Sequence, residues 1–431
     1  MRVAIVVVGD SASENERGAG LPYAFGPRRV HASLLDPRMD IEVTVIESRT
    51  PDADAIYAEI ERFDPDLIGC SAYVWSFPTL VEVARRAKVA RPDRLVVFGG
   101  PSARPSMFGL APFVGGASSI DALVLGEGEI AMRELVNASA KGRGGLGEVA
   151  GLALPDGAGF RRTRPRIPVE LDSLPSPHRS GLVPRGTMTC LETHRGCPLS
   201  CAFCEWGAEK QRIQVHSQAA LNRELDAIRD LEPPEVFVVD AGLNLNRKAF
   251  ARLAEAEKHT RLFQQVEMSC ELYATHLRDE DFEFLEGCRT RRVGVGLQSF
   301  NAAVNAAMGR PFDADRFIRG VSRLATVAPV TIEIILGLPG DNPVSFRDTV
   351  RRALALPGKN LHVFHCLVLP DGLMTRAPPG SDLLFDPFSL EMRSCRGWSE
   401  LDMGRIRDEL NEMVQRRGGR SHDGGWEIPM G

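Results

Sequence analysis

The sequence predicts an α/β protein. An N-terminal doubly wound, Rossmann-like parallel sheet is followed by a partial (β/α)6 barrel and a small helical C-terminal region. Three observations carry this reading. Short apolar, β-rich runs alternate with helical patterns over residues 1–140 and again over 187–370. A stretch rich in Gly, Pro and Arg, 141–186, separates the two series and reads as a linker. The second series holds six strand–helix units, short of the eight of a closed barrel. At 431 residues the chain is also longer than one core usually serves.

The first series opens with "RVAIVVVG", a buried strand whose apolar run is too short for a secretory signal. "IEVTVIES" alternates and gives a second strand. "DADAIYAEIERFDP" is a helix, and "DLIGCSAYVWS" a third strand running into a loop. "FPTLVEVARRAKVARP" is a helix bracketed by prolines. "DRLVVFGGPSA" and "IDALVLGEGE" are strands closed by glycines, and "IAMRELVNA" is helical. Five strands with helices between them specify a parallel sheet, which binds ligands outside the carboxyl ends of its strands. The segments placed there are "GDSASENERGAGLPYAFG", "SAYVWSF", "GGPSARP" and "GEGE". Within 141–186, Pro155-Asp156-Gly157 marks one hairpin.

In the second series the strands are "TMTCLET", "EVFVVDA", "QVEMSCE", "RVGVGLQ", "VTIEIILGLPG" and "LHVFHCLVLP". Helical patterns such as "QAALNRELDAIRDL", "RKAFARLAEAEKHTRL" and "PVSFRDTVRRALAL" fill the gaps. Over 371–431 the pattern gives polar helix and then a Gly-rich end.

Composition narrows the function. Net charge is −5, and runs such as "RDELNEMVQRRGGR" mix Arg with acids, so they read as solvated helix faces rather than a nucleic-acid patch. No apolar run is long enough for a membrane span. Nine cysteines in no framework spacing fit a reducing, cytoplasmic setting. Cys70, Cys190, Cys270, Cys288, Cys366 and Cys395 are scattered and read as small buried hydrophobes.

The other three stand together in "THRGCPLSCAFCEWG", spaced C-x3-C-x2-C, just past the first strand of the second series. A structural zinc site needs a fourth ligand, which His194 or His216 would have to supply. Soft thiolates also suit iron–sulfur clusters, where three cysteines leave one iron open.

"RGCPLSCAFC", with Phe203 before the third cysteine, resembles the signature of radical S-adenosylmethionine (radical SAM) enzymes. The resemblance implies that Cys197, Cys201 and Cys204 hold a 4Fe-4S cluster whose open iron binds S-adenosylmethionine. That cofactor is then cleaved to a 5′-deoxyadenosyl radical. "VGVGLQSF", "IEIILGLPGDNPVSFRDTV" and "HVFHCLVLPDG" resemble strand motifs of the subgroup with an N-terminal cobalamin (B12) domain, although Asp371-Gly372 departs from its usual "PGT". By position, Phe203, Asp240, Glu271, Gln298 and Gly337 are placed at S-adenosylmethionine. Glu271 and Asp240 also admit a plainer role, each in a buried ion pair with an Arg.

"DPDLIGCSAYVWSFPTLVEVARRAK", "VVFGGPSA" and "ALVLGEGE" resemble segments of that cobalamin domain. The resemblance implies cobalamin contacts from Ser71, Tyr73, Trp75, Gly99, Gly100, Gly126, Glu127 and Gly128. The D-x-H-x-x-G motif that supplies a cobalt ligand is absent; the only His in 1–140 is His31, in helical "RRVHASLLD". Base-off cobalamin without a His ligand is therefore implied, with Trp75 at its lower face. Trp75 as a core aromatic, and a domain that no longer binds cobalamin, are the other readings.

The implied activity is methylation of an unactivated carbon of a small-molecule substrate, through methylcobalamin and the radical. A flavodoxin or ferredoxin would donate the electron. A radical cyclase, ring-contraction or rearrangement enzyme is the alternative within the family. A cobalamin sensor or carrier with a structural cluster is the alternative of another class. The segment holding Cys395, Trp398 and Glu400 is placed at the barrel mouth, over substrate.

Overall fold

The computed structural model describes residues 1–9, 24–139, 143–207 and 213–431. The chain divides into two compact units, Met1–Val183 with Pro387–Ser389, and Pro184–Asp386 with Leu390–Gly431.

Among the described residues, the sheet of the first unit has seven strands: β1 (Arg2–Val8), β2 (Glu42–Ser48), β3 (Leu67–Ser71), β4 (Leu95–Gly99), β5 (Ala122–Val124), β6 (Leu152–Asp156) and β7 (Gly159–Arg162). Their order is β2-β1-β3-β4-β5-β6-β7. β1 to β5 are parallel, as the apolar runs predict. The order reverses between β1 and β3, which places the ligand-binding switch point at the carboxyl ends of those two strands. Helix Ala53–Phe63 starts where Asp52 accepts from the Asp54 and Ala55 amides and stops where Asp64 turns to φ 45°.

One expectation needs correction. The hairpin around Gly157 is not part of a linker, because β6 pairs antiparallel with β5 and carries β7 with it. Leu152 and Ala153 are fully buried there, so the first unit runs on to Val183. Of "GDSASENERGAGLPYAFG", residues 10–23 lie outside the described residues.

In the second unit the strands are β8 (Thr189–Leu191), β9 (His194–Arg195), β10 (Gln214–Val215), β11 (Glu235–Val238), β12 (Glu267–Leu272), β13 (Thr290–Gln298), β14 (Val330–Leu336), β15 (Asn360–His365), β16 (Leu384–Phe385), β17 (Met392–Ser394), β18 (Arg420–His422) and β19 (Gly425–Pro429). β8 and β11 to β15 form the six parallel strands of the partial barrel. Alternate residues of β13, Val293, Val295 and Leu297, join the core, so Arg292, Gly294, Gly296 and Gln298 lie on the opposite face. The C-terminal region is helical over Leu373–Arg376 and Glu400–Arg417, the second helix begun by a Ser399–Asp402 capping box. Its Gly-rich end is a hairpin instead: β19 pairs antiparallel with β15, and β18 with β19. Trp426 and Ile428 bury against the barrel and fix that register.

Phe77, fully buried at the start of helix Phe77–Ala90, packs edge-on against Phe98, Phe108 and Phe113 at 5.0–5.9 Å. Those rings fasten the helix that follows the β3 loop. Phe77→Ala is expected to cost about 3–5 kcal/mol in the unfolding transition of the first unit, measured by urea titration.

Candidate functional site

The cysteine loop leaves β8 through Thr193, which is fully buried. Asp240, in the turn after β11, accepts from the Thr193 amide at 2.9 Å, the Thr193 hydroxyl at 2.5 Å and the His194 amide at 3.3 Å. With 2% exposure, its carboxylate has exchanged water for these donors and pins the loop's entry. The turn that follows uses Gly196 at φ 101°. It closes at Gly207, where any Cβ would lie 1.7 Å from the Leu199 oxygen. The loop's backbone is fastened further along, where the Ala202 amide donates to Met308 O at 2.8 Å.

The three thiols are close enough to influence one another. Burial raises the Cys197 thiol, and Cys201 adds to the rise. Burial pushes Cys204 up to about 11, with Cys201, Cys197 and Glu205 contributing. Yet among the described residues no three His, Cys, Asp or Glu side chains are placed to share one metal ion. His194 is buried with its Nδ1 3.4 Å from Asp240, and the His216 amide is tied to Thr193 O. Three thiols carried on one loop just past a barrel strand suit a cluster that distributes its ligands over several irons.

The first unit builds a different surface at its switch point. Ser71 ends β3, and the Ala72 amide crosses to Gly99 O at 2.7 Å. Gly100 has φ 99°, and a Cβ there would stand 2.7 Å from Ala72 O, so only glycine closes this turn. Ser76 Oγ accepts from the Tyr73 amide at 2.9 Å and shapes the loop. Tyr73 and Trp75 then stack, with ring centres 4.5 Å apart and planes at 16°. Trp75 Nε1 donates to Val8 O, the last residue of β1, at 3.2 Å. Trp75 is 41% exposed, so it is not a core aromatic. Its indole bridges the ends of β1 and β3 and offers a ring outward. Gly126 has φ 100°, Glu127 follows it, and Gly128 opens helix Gly128–Ser139.

His31 lies on helix Phe25–Leu34, its pKa lowered by burial and by Arg28. It is not the only His of the unit, because the unit extends past residue 140. His178 is buried there, its ring 5.7 Å from Phe25.

The radical SAM superfamily pattern matches residues 191–353, and the B12 binding domain pattern matches residues 25–136. The chain is a radical SAM protein with a B12-binding domain. It is 30% identical over 334 residues to 2-(S-pantetheinyl)-carbapenam-3-carboxylate methyltransferase of Streptantibioticus cattleyicolor, covering 72% of this chain and 48% of that one. It is 29% identical, with the same coverage, to the cobalamin-dependent radical SAM methyltransferase TokK of Streptomyces tokunonensis. The chain thus spans about half the length of the curated relatives it matches. In fold it resembles the radical SAM methyltransferase TsrM of Kitasatospora setae, solved with cobalamin and a 4Fe-4S cluster, at TM-score 0.67 and 18% identity over 95% of this chain and 88% of that one.

The radical SAM strand ends hold the remaining expected residues in unequal ways. Gln298 ends β13 at φ 66°, where the pairing with β14 slips by one residue. Its amide lies over Gly296. Glu271 instead binds Arg292 of β13 at 2.8 Å, and Arg292 stands 3.5 Å from Glu333 of β14. This is the plainer role, an ion pair on the inner face of the sheet. Among the described residues Asp240 has no Arg partner, and it serves the loop entry. Phe203 packs against the barrel core. Gly337, at φ 91°, lies against Met403 and accepts from Cys395 Sγ at 3.4 Å. Cys395 and Trp398 are buried, with the Trp398 indole donating to Leu338 O at 3.2 Å. They cap the end of β14 rather than open onto substrate, and Glu400 pairs with Arg393 outside.

Two arginines escaped the sequence reading. Arg376 donates to the carbonyls of Asp371, Ser200, Cys201 and Cys204, binding the cysteine loop to the segment after β15. Arg310 points at Cys201 Sγ from 3.9 Å. "MGRPF" and "MTRAPP" carry no motif that separates these two from the other basic residues. Asp240→Ala strips three buried donors of their acceptor. It is expected to cost about 3 kcal/mol in stability and to lower the iron retained after reconstitution, checked by urea unfolding and iron assay.

Proposed function

We propose that this protein methylates an unactivated carbon of a small-molecule substrate, using a 4Fe-4S cluster, S-adenosylmethionine and cobalamin. The observation that carries the reading is the outward-facing Trp75–Tyr73 stack at the β1/β3 switch point, in a chain that also builds the three-thiol loop at the carboxyl edge of its barrel. Together these groups supply the electron, the hydrogen abstraction and the methyl group that an inert C–H bond requires.

The chain's own residues then have distinct tasks. Cys197, Cys201 and Cys204 would hold three irons and leave the fourth for the amino and carboxylate groups of S-adenosylmethionine. Asp240 and Arg376 keep the loop in one geometry, so that no reorganisation accompanies electron transfer. Trp75 would present an apolar face to the corrin ring. Neither His31 nor His178 lies on that loop, which supports a cobalamin that would be held base-off. Gly99, Gly100, Gly126 and Gly128 keep side chains away from the ring, and the amides opening helix Gly128–Ser139 favour polar or anionic groups of the cofactor. The relatives named above are methyltransferases, one acting on a carbapenam carboxylate, which favours a small molecule as substrate. A low-potential flavodoxin or ferredoxin would supply the electron, in a reducing cytoplasm consistent with nine free cysteines.

Anaerobic reconstitution with iron, sulfide and hydroxocobalamin, followed by desalting, tests the reading. We expect about one cobalamin per chain with a base-off spectrum, and both S-adenosylhomocysteine and 5′-deoxyadenosine on turnover. Trp75→Ala should lower bound cobalamin several-fold while iron stays constant. Cys201→Ala should lose the cluster and keep cobalamin. A full cluster with no bound cobalamin would move the assignment to radical cyclisation or rearrangement.

A further inference from the structure

Residues 157 to 169 carry four arginines and no acid, in a chain whose net charge is −5. They include β7, the edge strand of the first sheet, which among the described residues has β6 on one side and no strand on the other. The strand is held firmly. At one end the Phe160 ring packs 5.5 Å from Phe108. At the other, Arg166 binds both carboxylate oxygens of Glu134, at 3.2 and 2.7 Å, and Ala150 O at 2.8 Å. Arg161, Arg162 and Arg164 are exposed and form no ion pair among the described residues. Glu134, the acid that Arg164 acts on, is already taken by Arg166. Other exposed arginines of this unit find acids, as Arg2 with Glu42 and Arg85 with Glu82.

The backbone of β7 is open as well. Pro155 has no N–H and stands opposite Phe160, so that pair, and the Ala153–Arg162 pair two residues on, are the ones that exchange no hydrogen bonds. Thr163, the next residue, donates across to Leu152 O at 2.9 Å. The amides of Phe160 and Arg162 therefore face away from β6. Arg161 and Arg162, being successive, project to opposite faces of the strand. A nucleic-acid strand would want aromatic faces to stack on, and the one aromatic of this stretch, Phe160, is turned onto Phe108.

We propose that the outer edge of β7 docks an acidic protein partner. An extended segment of that partner adds to the sheet as a further strand, bonds the outward backbone groups of Phe160 and Arg162, and sets carboxylates beside Arg161, Arg162 and Arg164. Charge on an exposed edge guards it against self-association, and these arginines repel a second copy of β7. The same charge attracts a segment of opposite sign, so the edge rejects its own kind and selects an acidic one. Docking here needs no cofactor and stands apart from the methyl-transfer reading.

The test is fluorescence anisotropy on the full-length protein at about 50 mM salt, with three labelled probes. One is an acidic peptide of repeating Glu-Glu-Val-Thr, the second a peptide of equal charge with proline in place of Val and Thr, and the third a single-stranded DNA of equal charge. We expect the Val-Thr peptide to bind at least tenfold more tightly than the other two. The Arg161→Glu/Arg162→Glu/Arg164→Glu variant, with an unchanged circular-dichroism melt, should bind it at least tenfold more weakly. No binding of the Val-Thr peptide overturns the proposal and leaves the arginines as guards of the edge. The proline peptide or the DNA bound as tightly overturns it too, since any polyanion would then serve. Wild-type affinity in the triple variant moves binding elsewhere on the molecule and overturns it as well. If the triple variant melts early, Arg164→Glu alone decides: several-fold weaker binding supports the docking edge, and unchanged binding overturns it.

Discussion

The barrel's chemistry depends on holding one irregular loop still. Residues 196 to 207 carry the three thiols but have no ladder of their own to satisfy their backbone groups. The fold supplies partners from outside instead. Asp240 takes the amides at the loop's entry, Met308 O takes the Ala202 amide, and Arg376 takes carbonyls at Ser200, Cys201 and Cys204. Each support comes from a different strand–helix unit, so the loop is as rigid as the barrel. A site that must exchange electrons gains from this, because a fixed frame does not rearrange when the charge changes.

The first unit meets the same demand with a surface instead of a loop of ligands. Its parallel strands converge on a switch point, and the chain puts an indole there whose N–H is already used on Val8 O. That hydrogen bond leaves Trp75 with only its ring to offer, and Tyr73 stacked on it stiffens the ring's orientation. An aromatic face so fixed recognises flatness and excludes water, which are the two properties a shielded macrocycle needs.

How much of this could be read from the sequence follows from where the information sits. Parallel strands are buried on both faces and announce themselves as apolar runs, so β1 to β5 and the six barrel strands were all legible. The cysteine triplet was legible because a local spacing encodes it. The hairpins β6–β7 and β18–β19 were not assigned to the sheets, because short antiparallel edge strands among glycines look like loops until a neighbour pairs with them. The ion pair of Glu271 with Arg292 was only one of two readings in the sequence, because it depends on the register of β12 on β13. Arg310 and Arg376 lie 109 and 175 residues from Cys201 and are two of the chain's 52 Lys and Arg residues. Only the fold distinguishes them.

Those two arginines divide the work in a way their partners make clear. The guanidinium of Arg376 is met by backbone carbonyls on several sides, so its donors are spent on fastening the loop. Arg310 meets one carbonyl, one aromatic face and one sulfur, which together do not neutralise it. Burying such a charge is unfavourable in the empty protein and becomes favourable only when something anionic arrives at Cys201. Arg376 therefore fastens the loop that carries the three sulfurs, and Arg310 keeps a buried positive charge beside one of them.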